Sequence, residues 1–426
     1  MKGIPLMPLG KLVVCEPAYG SGERAIPVQD PNDMKYIRIT DFDDDGIVPG
    51  NEFATVENIE DRYRLDDGDV LFARSGATAG KTFIYSSDIG PSIFAGYCIR
   101  FRFDREKTLP QFIYFYTKTS RYEAWVRSIQ RPSGQPNINK EEFKSFTVPL
   151  PPLPVQREMV RAMERARESR RRKLEQADAL LSGLDAFLLD RLGLTLPEPD
   201  NRLAYAMRLS SVHGSKQIGA EYFRPERLDA LRAIQTAKKA KRAARLEDVA
   251  DFLREVSTEY EAEQYLGLAG VHSQTGELAE TPEEPGKGQA FIYKQNDVLF
   301  ARLRPYLNKV WRAERDGVCS TEFHVIRIKK DISGLLPDYL AAVLRSSVIV
   351  AQTKHMMTGN THPRLANEDV VDLLIPIPDE RIQREIVDDL HCRRMDARRL
   401  REEAAHEWEA AKARFEVELL GPELAD

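Results

Sequence analysis

Two kinds of hydrophobic pattern alternate along the chain. Short apolar runs such as DVLFAR (Asp69 to Arg74), YCIRFRF (Tyr97 to Phe103) and EFHVIRI (Glu322 to Ile328) are rich in Val, Ile, Phe and Tyr and are divided by Gly, Asp and Pro turns, which predicts compact sheets. A few helices are expected among them, for example over Pro110 to Ser120 and Pro337 to Ser347. From Pro154 to about Leu192 the period changes: Leu174, Ala177, Leu181, Leu184 and Leu188 step by three and four, without a proline. A second stripe, Ala397, Leu400, Ala404, Trp408, Ala411 and Phe415, lies between Glu380 and about Leu420. Each stretch predicts a helix of roughly 40 residues, roughly 60 Å long at 1.5 Å per residue. The two apolar stripes need a partner, and the most economical one is each other, as a coiled coil.

The sheet pattern occurs twice. DVLFAR returns as DVLFAR at Asp297 to Arg302, pairing Asp69 with Asp297, Arg74 with Arg302 and Lys81 with Lys309 at one offset, 297 − 69 = 228. Downstream, VPLPPLPVQREMV (Val148 to Val160) recurs as IPIPDERIQREIV (Ile375 to Val387), so Gln156 meets Gln383. Upstream, KYIRITDF (Lys35 to Phe42) faces QYLGLAGV (Gln264 to Val271), and RPSGQPNINKEEF (Arg131 to Phe143) faces MTGNTHPRLANEDV (Met357 to Val370). One unit is present in two diverged copies, an internal repeat.

The repeat removes two false leads. GATAGKT (Gly76 to Thr82) looks like a phosphate-gripping loop, but only three residues separate Gly76 from Gly80 where a P-loop needs four. The second copy has Leu303, Arg304, Pro305 and Tyr306 in place of the glycine-rich middle, an exchange no nucleotide loop would survive. CEPAYGSGE (Cys15 to Glu23) resembles the glycine-rich motif of adenine methyltransferases, yet the double proline of their catalytic motif occurs only as Pro151-Pro152 after Leu150. A paired-carboxylate-plus-lysine nuclease arrangement is not evident either, so no catalytic residue is expected.

The 426 residues suit two or three domains, and a net charge of -5 excludes a generally basic polyanion binder while leaving room for local basic faces. Cys15, Cys98, Cys319 and Cys392 form no CxxC pair, so buried free thiols are expected rather than a metal site or a disulfide framework. With no run of 18 apolar residues and a proline-broken start, a cytoplasmic location without membrane attachment is expected. Arg100 and Arg102 share one strand face, either solvated or facing phosphate. The run Arg161, Arg165, Arg167, Arg170, Arg171, Arg172, Lys173 is either the wet face of a coiled coil or a phosphate contact.

The twin signposts PLPPLPVQREMV and PIPDERIQREIV, the twin DVLFAR loops, GNTHPRL and AEYFRPE together resemble the specificity subunit of type I restriction-modification systems, over essentially the whole chain. The resemblance implies an α+β chain with two target-recognition domains, 1–150 and 241–378, joined by two long antiparallel helices, 151–193 and 379–420, with a linker at 194–240 and a tail at 421–426. A pseudo-twofold axis would relate the halves. Each domain would read one half of a bipartite site in double-stranded DNA, and the helices would set the gap. The partners implied are adenine methyltransferase (modification) subunits, two of them, and through these the restriction/translocase subunits of a phage-defence complex. S-adenosylmethionine, ATP and Mg would belong to those partners, with no cofactor or metal bound by this chain. Much of the phosphate contact would come from the methyltransferases, given the negative charge here.

Base reading needs Arg, Lys, Asn, Gln, Ser and Thr on loops. Where the copies differ most on a common frame, the first carries Arg74, Ser75, Thr78 and Lys81 with Arg131, Ser133, Gln135 and Asn137. The second carries Arg302, Arg304, Tyr306, Asn308 and Lys309 with Asn360, Thr361, His362 and Arg364. The residues shared by the copies, Arg74, Lys81, Arg302 and Lys309, are expected on phosphates and the others on bases. The competing expectation makes Arg74 and Arg302 structural, paired with an acid at a strand end. His362 reads as a hydrogen-bonding loop residue, and Gly134 and Gly359 as turn formers. Two alternatives stand beside this reading: a recognition or interaction scaffold of another phage-defence system, and a DNA-acting enzyme with an unrecognised active site.

Overall fold

The computed structural model describes residues 4–30, 32–43, 46–48, 50–129, 136–196, 204–206, 219–237, 239–279, 288–356 and 363–421. The chain forms two compact units, Met1–Leu174 with Arg401–Asp426, and Glu175–Leu400.

In the first unit a four-stranded antiparallel sheet runs in the order Ala18–Tyr19, Cys98–Phe101, Val70–Ala73, Thr82–Ile84. A second sheet has the order Ser92–Phe94, Lys35–Ile37, Ala54–Thr55, Ile26–Pro27, its first pair parallel. Leu6–Pro8 pairs with Thr147–Pro149. The second unit repeats the plan: Ala250–Leu253, Phe323–Ile328, Val298–Ala301, Val310–Arg312 in one sheet, and Val256–Ser257, Ala290–Tyr293, Gly317–Ser320, Tyr265–Leu266 in the other, the last pair again parallel. Arg242–Arg245 pairs with Leu374–Ile377.

VLFA is a continuous apolar run because all four of its residues are buried in each copy. The aspartate before it is buried as well. Asp69 accepts two bonds from Arg102 at 2.8 Å each, and Asp297 two from Arg327 at 2.7 Å each. These bidentate pairs hold the central strand to its neighbour, and they raise the affinity of both guanidinium groups for their proton. Arg102 is therefore neither bare sheet face nor phosphate contact. Arg100 donates to the carbonyl of Arg64 at 2.7 Å and lies over the ring of Phe94.

The proline signposts have a physical reason. Gln156 and Gln383 are fully buried and make matching bonds. Gln156 Oε1 accepts from Leu109 N (2.9 Å) while its amide donates to the carbonyl of Pro151 (2.8 Å). Gln383 Oε1 accepts from Leu336 N (3.0 Å), and its Nε2 donates to the carbonyls of Pro378 (2.9 Å) and Gly334 (2.7 Å). Each glutamine thus ties the start of a long helix to the loop that enters the short helix Pro110–Tyr116 or Pro337–Leu344. Those helices begin with proline, which needs no N–H partner there, and each is followed by another helix, Ser120–Ile129 or Ser347–Thr353.

The first long helix divides at Gly183 into Leu153–Ser182 and Leu184–Leu192; the second, Glu380–Leu420, is unbroken. Within the first unit the start of the first helix packs on the end of the second, with Met159, Val160 and Met163 in one core with Trp408, Ala411, Phe415 and Leu419. Within the second unit the end of the first packs on the start of the second, through Ala177, Leu181, Leu184 and Leu188 with Ile386, Leu390 and Ala397. The pairing is antiparallel, and both predicted stripes are its seam. Much of the basic run serves it: Lys173 bonds Glu403 and Glu407 at 2.7 Å, Arg170 lies over the Trp408 ring, and Arg171 pairs with Glu168. AEYF forms a short turn of helix, Ala220–Phe223, whose Tyr222 hydroxyl donates to Asp372 and carries Arg227 over its ring.

Cys98, in the first unit's antiparallel sheet, and Cys319, in the second unit's sheet with the parallel pair, are buried, but Cys15 and Cys392 are exposed, against the expectation of four buried thiols. Cys15 lies outside a strand and Cys392 on the outer face of a helix, positions where no period marks burial. Among the described residues no helix is long and apolar enough to cross a membrane.

Candidate nucleic-acid interface

In each unit the chain leaves the central strand at an arginine, makes one 3-10 turn and returns in the next strand. The two loops have the same length and are left-handed at the same two places, with the 3-10 turn at Gly76–Thr78 in the first and Pro305–Leu307 in the second. Gly76 (φ 71°) and Gly80 (φ 92°) in the first are matched by Arg304 (φ 49°) and Asn308 (φ 53°) in the second, all left-handed. The glycines of GATAGKT are therefore there for conformation, since Gly adopts positive φ without steric cost. That accounts for the resemblance to a phosphate loop.

A second segment joins each loop. Ser75 bridges Asn137, and Leu303 bridges Arg364. Gly76 N donates to the carbonyl of Pro136 (3.0 Å) and Ile138 N to that of Arg74 (2.8 Å); Arg304 N donates to Pro363 (2.8 Å) and Leu365 N to Arg302 (3.0 Å). The sequence-predicted pairs of loops are thus brought together in both copies. Arg131, Ser133 and Gln135, with Gly134, and Asn360, Thr361 and His362, with Gly359, lie outside the described residues.

The side chains then diverge. Arg74 lies over the ring of Tyr19 at 4.8 Å, next to Tyr97, which is 62% exposed. Ser75 and Thr78 are half-buried, the Thr78 hydroxyl donating to the carbonyl of Ser75; Lys81 is half-buried and Asn137 exposed. In the second unit Arg304 and Tyr306 are exposed. Asn308 is not: it is 3% exposed, and its amide donates to Gln274 Oε1 and to the carbonyl of Arg345, so it supports the loop from beneath and cannot reach a base. Lys309 donates to the carbonyl of Leu268 at 2.7 Å, and Arg364 makes a bidentate pair with Glu322. Neither Arg74 nor Arg302 has a carboxylate partner among the described residues, and the Nε of each is buried without an acceptor. The acid at the strand end pairs with Arg102 or Arg327 instead.

Arg302 has a neighbour the sequence did not reveal. His324, 5% exposed, donates through Nδ1 at 3.0 Å to Asn367 Oδ1, while its Nε2 has no partner among the described residues. Burial and the charges of Arg302 and Arg254 lower its pKa to about 4, so the imidazole is neutral at pH 7. Ile99 occupies this place in the first unit, paired with Phe72 as His324 is with Phe300. Among the described residues no cluster of His, Cys, Asp and Glu could hold a metal ion.

Residues 23–176 match the family described as type I restriction modification DNA specificity domain. The match covers about a third of the chain, most of it in the first unit. Stretches of the chain are similar to two curated specificity subunits of type I restriction enzymes. The chain is 30% identical over 139 residues to StySPI of Salmonella potsdam, covering 31% of this chain and 30% of that protein. It is 23% identical over 124 residues to MjaVIII of Methanocaldococcus jannaschii, covering 29% and 27%. The matched stretches thus span less than a third of either relative. A solved chain described under complex assembly and conformational transition of the type I R-M system is similar over 98% of this chain and 97% of its own, with 17% identity and a TM-score of 0.55, a likeness of fold. The matched stretch holds the loops 74–81 and 136–138, and the second unit carries the same frame. Tyr19 and Tyr97 escaped the sequence reading because aromatic residues at strand ends read as core; only their positions beside the arginine distinguish them.

Proposed function

We propose that the chain is the sequence-specific DNA-recognition subunit of a type I restriction-modification complex, reading a bipartite site in double-stranded DNA with one half-site for each recognition domain. The observation that carries this reading is the paired-loop surface built twice on one frame with different side chains, which suits two unlike half-sites. Arg74 and Arg302, without a carboxylate partner among the described residues, would hold phosphates, with Lys81 and Lys309 beside them. Ser75, Thr78, Asn137 and Tyr97 in the first domain, and Arg304, Tyr306 and Arg364 in the second, would face bases, together with Arg131, Ser133, Gln135, Asn360, Thr361 and His362 from the sequence. The helices would fix the gap and dock two adenine methyltransferase subunits, through which restriction/translocase subunits join. Chemistry, with S-adenosylmethionine, ATP and Mg, would belong to those partners in the cytoplasm.

The test is methylation mapping. The chain is co-expressed with the adenine methyltransferase encoded beside it in a host free of adenine methylation, and N6-methyladenine is located by sequencing. Two short specified halves around an unspecified gap, lost when this chain is omitted, are expected. A continuous motif, or methylation that persists without the chain, would overturn the proposal.

A further inference from the structure

Beside the glutamine joint and the apolar core shared with the long helices, each recognition domain is tied to them at two further points, by residues that belong to the same unit. The first tie is a carboxylate on the N-terminus of the second short helix. In the first unit Glu416, from the second long helix, accepts from the Ser120 hydroxyl (2.9 and 3.0 Å) and from Arg121 N (3.1 Å). In the second unit Asp185, from the first long helix, accepts from Ser347 N at 2.8 Å. A helix N-terminus carries unpaired N–H groups and a partial positive charge, so a carboxylate there makes charge-assisted bonds. Glu416 is only 6% exposed, and its burial is compatible with charge because of these donors.

The second tie is an arginine from the other long helix of the pair to the hairpin that follows the parallel strand. Arg394 Nη2 donates to the carbonyl of Thr275 (2.9 Å), in the turn closed by the Val271–Leu278 bridge. Arg167, its counterpart in the repeat, lies over the Tyr114 ring at 5.5 Å and reaches the Phe42–Ile47 hairpin, where its Nη2 would be 2.7 Å from a Cβ on Gly46. Gly46 has φ 126°, a conformation that favours glycine, and the guanidinium fills the space a side chain there would take.

The arginines hold corresponding places in the two copies, but the carboxylates do not. At the repeat offset of 227 (383 − 156), Asp185 aligns with Lys412 and Glu416 with Leu189, one helical turn away. A cap inherited from one ancestral unit would stand at one position. Here the same helix N-terminus is capped twice by unrelated residues, which marks the tie itself as what the molecule requires.

We propose that Glu416 and Asp185 are positioning residues: by capping Ser120–Ile129 and Ser347–Thr353 they fix the angle at which each recognition domain is carried on the helices, and thereby the gap between half-sites that the chain accepts. The shared core and the glutamine joint hold the domain on the helices, and the carboxylate and arginine ties, acting at separate points, would fix its angle about them. This rests on the DNA-recognition reading above.

The experiment uses the full chain with its methyltransferase and a plasmid library in which the two mapped half-sites are separated by the native gap or by one base pair more or fewer. Glu416→Ala is expected to raise methylation of the altered gaps relative to the native one about tenfold, the loss expected for charge-assisted bonds. Half-site sequences stay unchanged. Glu416→Gln, which keeps an acceptor oxygen, restores the native ratio, and Ser120→Ala, which removes only the hydroxyl, moves the ratio in the same direction by less. Should Glu416→Ala abolish all methylation, Ser120→Ala decides. An unchanged gap preference in Ser120→Ala and in any active Glu416→Ala, or an altered half-site sequence, would overturn the assignment. A wild-type chain that yields no bipartite motif would instead sink the DNA-recognition reading on which it rests.

Discussion

The loops 74–81 and 302–309 share one plan and differ in chemistry. Left-handed conformations at the same two places are met by Gly76 and Gly80 in one unit and by Arg304 and Asn308 in the other. Beneath them, Ile99 in the first unit becomes His324 in the second, while Lys118 and Arg345 are buried cations that donate to equivalent strand carbonyls, those of Thr82 and Val310. The difference separates what the frame must keep from what it can vary. The left-handed turns and the bonds to the strand carbonyls are held in both copies, while the residues that supply them change.

If the frame is one device used twice, damage at its joint should cost the same in both units. Replacing Gln156 or Gln383 by Leu keeps the volume but leaves the N–H of Leu109 or Leu336, and the carbonyls the amide served, buried without partners. Each change should destabilise its own unit by about 4 kcal/mol, several unmet groups at about 1–3 kcal/mol each. Urea unfolding combined with hydrogen exchange, which reports the units separately, checks this. A large loss in one unit and none in the other would break the equivalence.

The next effect should appear in the second unit alone. His324 has a folded pKa of about 4, below the unfolded value near 6.5, because burial and Arg302 and Arg254 disfavour its charge. Stability from keeping it neutral is complete above about pH 6.5. It is lost as pH falls from there to about 4, since the unfolded chain takes up the proton first, and no further loss follows below that. The span corresponds to about 3 kcal/mol. His324→Ile, which installs the residue of the first unit, should flatten the second unit's stability between pH 6.5 and 4, as measured by melting at a series of pH values. An unchanged acid slope in that variant would show that other groups set it.

Much of this was legible before any coordinates. The α+β character, the duplication, the two helical stripes and the pairing of Asp69 with Asp297 and Gln156 with Gln383 follow from periodicity and spacing, because burial imposes period two on strands and three to four on helices. The partners of those residues were not legible. Alternation in YCIRFRF puts Arg100 and Arg102 on one face but does not say that Asp69, 33 positions earlier, lies across from Arg102. Nor does a loop sequence tell which polar residue turns inward: Asn308 looked like a base reader, and its left-handed backbone directs it into the fold. His324 was hidden by standing in an apolar strand, where one polar letter carries no period of its own.

Arg304 gives the finest test of frame against face. A non-glycine residue at φ 49° carries backbone strain of about 1–2 kcal/mol, and such strain persists where the surroundings or the function require that side chain. Arg304→Gly relieves it while adding freedom to the unfolded chain, so stability should stay within about 1 kcal/mol of the parent. The loop keeps its backbone, as Gly76 keeps it in the first unit. What is removed is an exposed guanidinium beside Tyr306, and methylation mapping should then show relaxed preference at one position of one half-site, equivalent to about 1–3 kcal/mol, with the other half-site unaltered. Tyr97→Ala should act in mirror fashion on the half-site read by the first unit. If Arg304→Gly weakened binding evenly at every position, Arg304 would be a phosphate contact like its neighbour Arg302, and the division between a fixed phosphate-holding arginine and a variable base-reading loop would have to be redrawn one residue further along the chain.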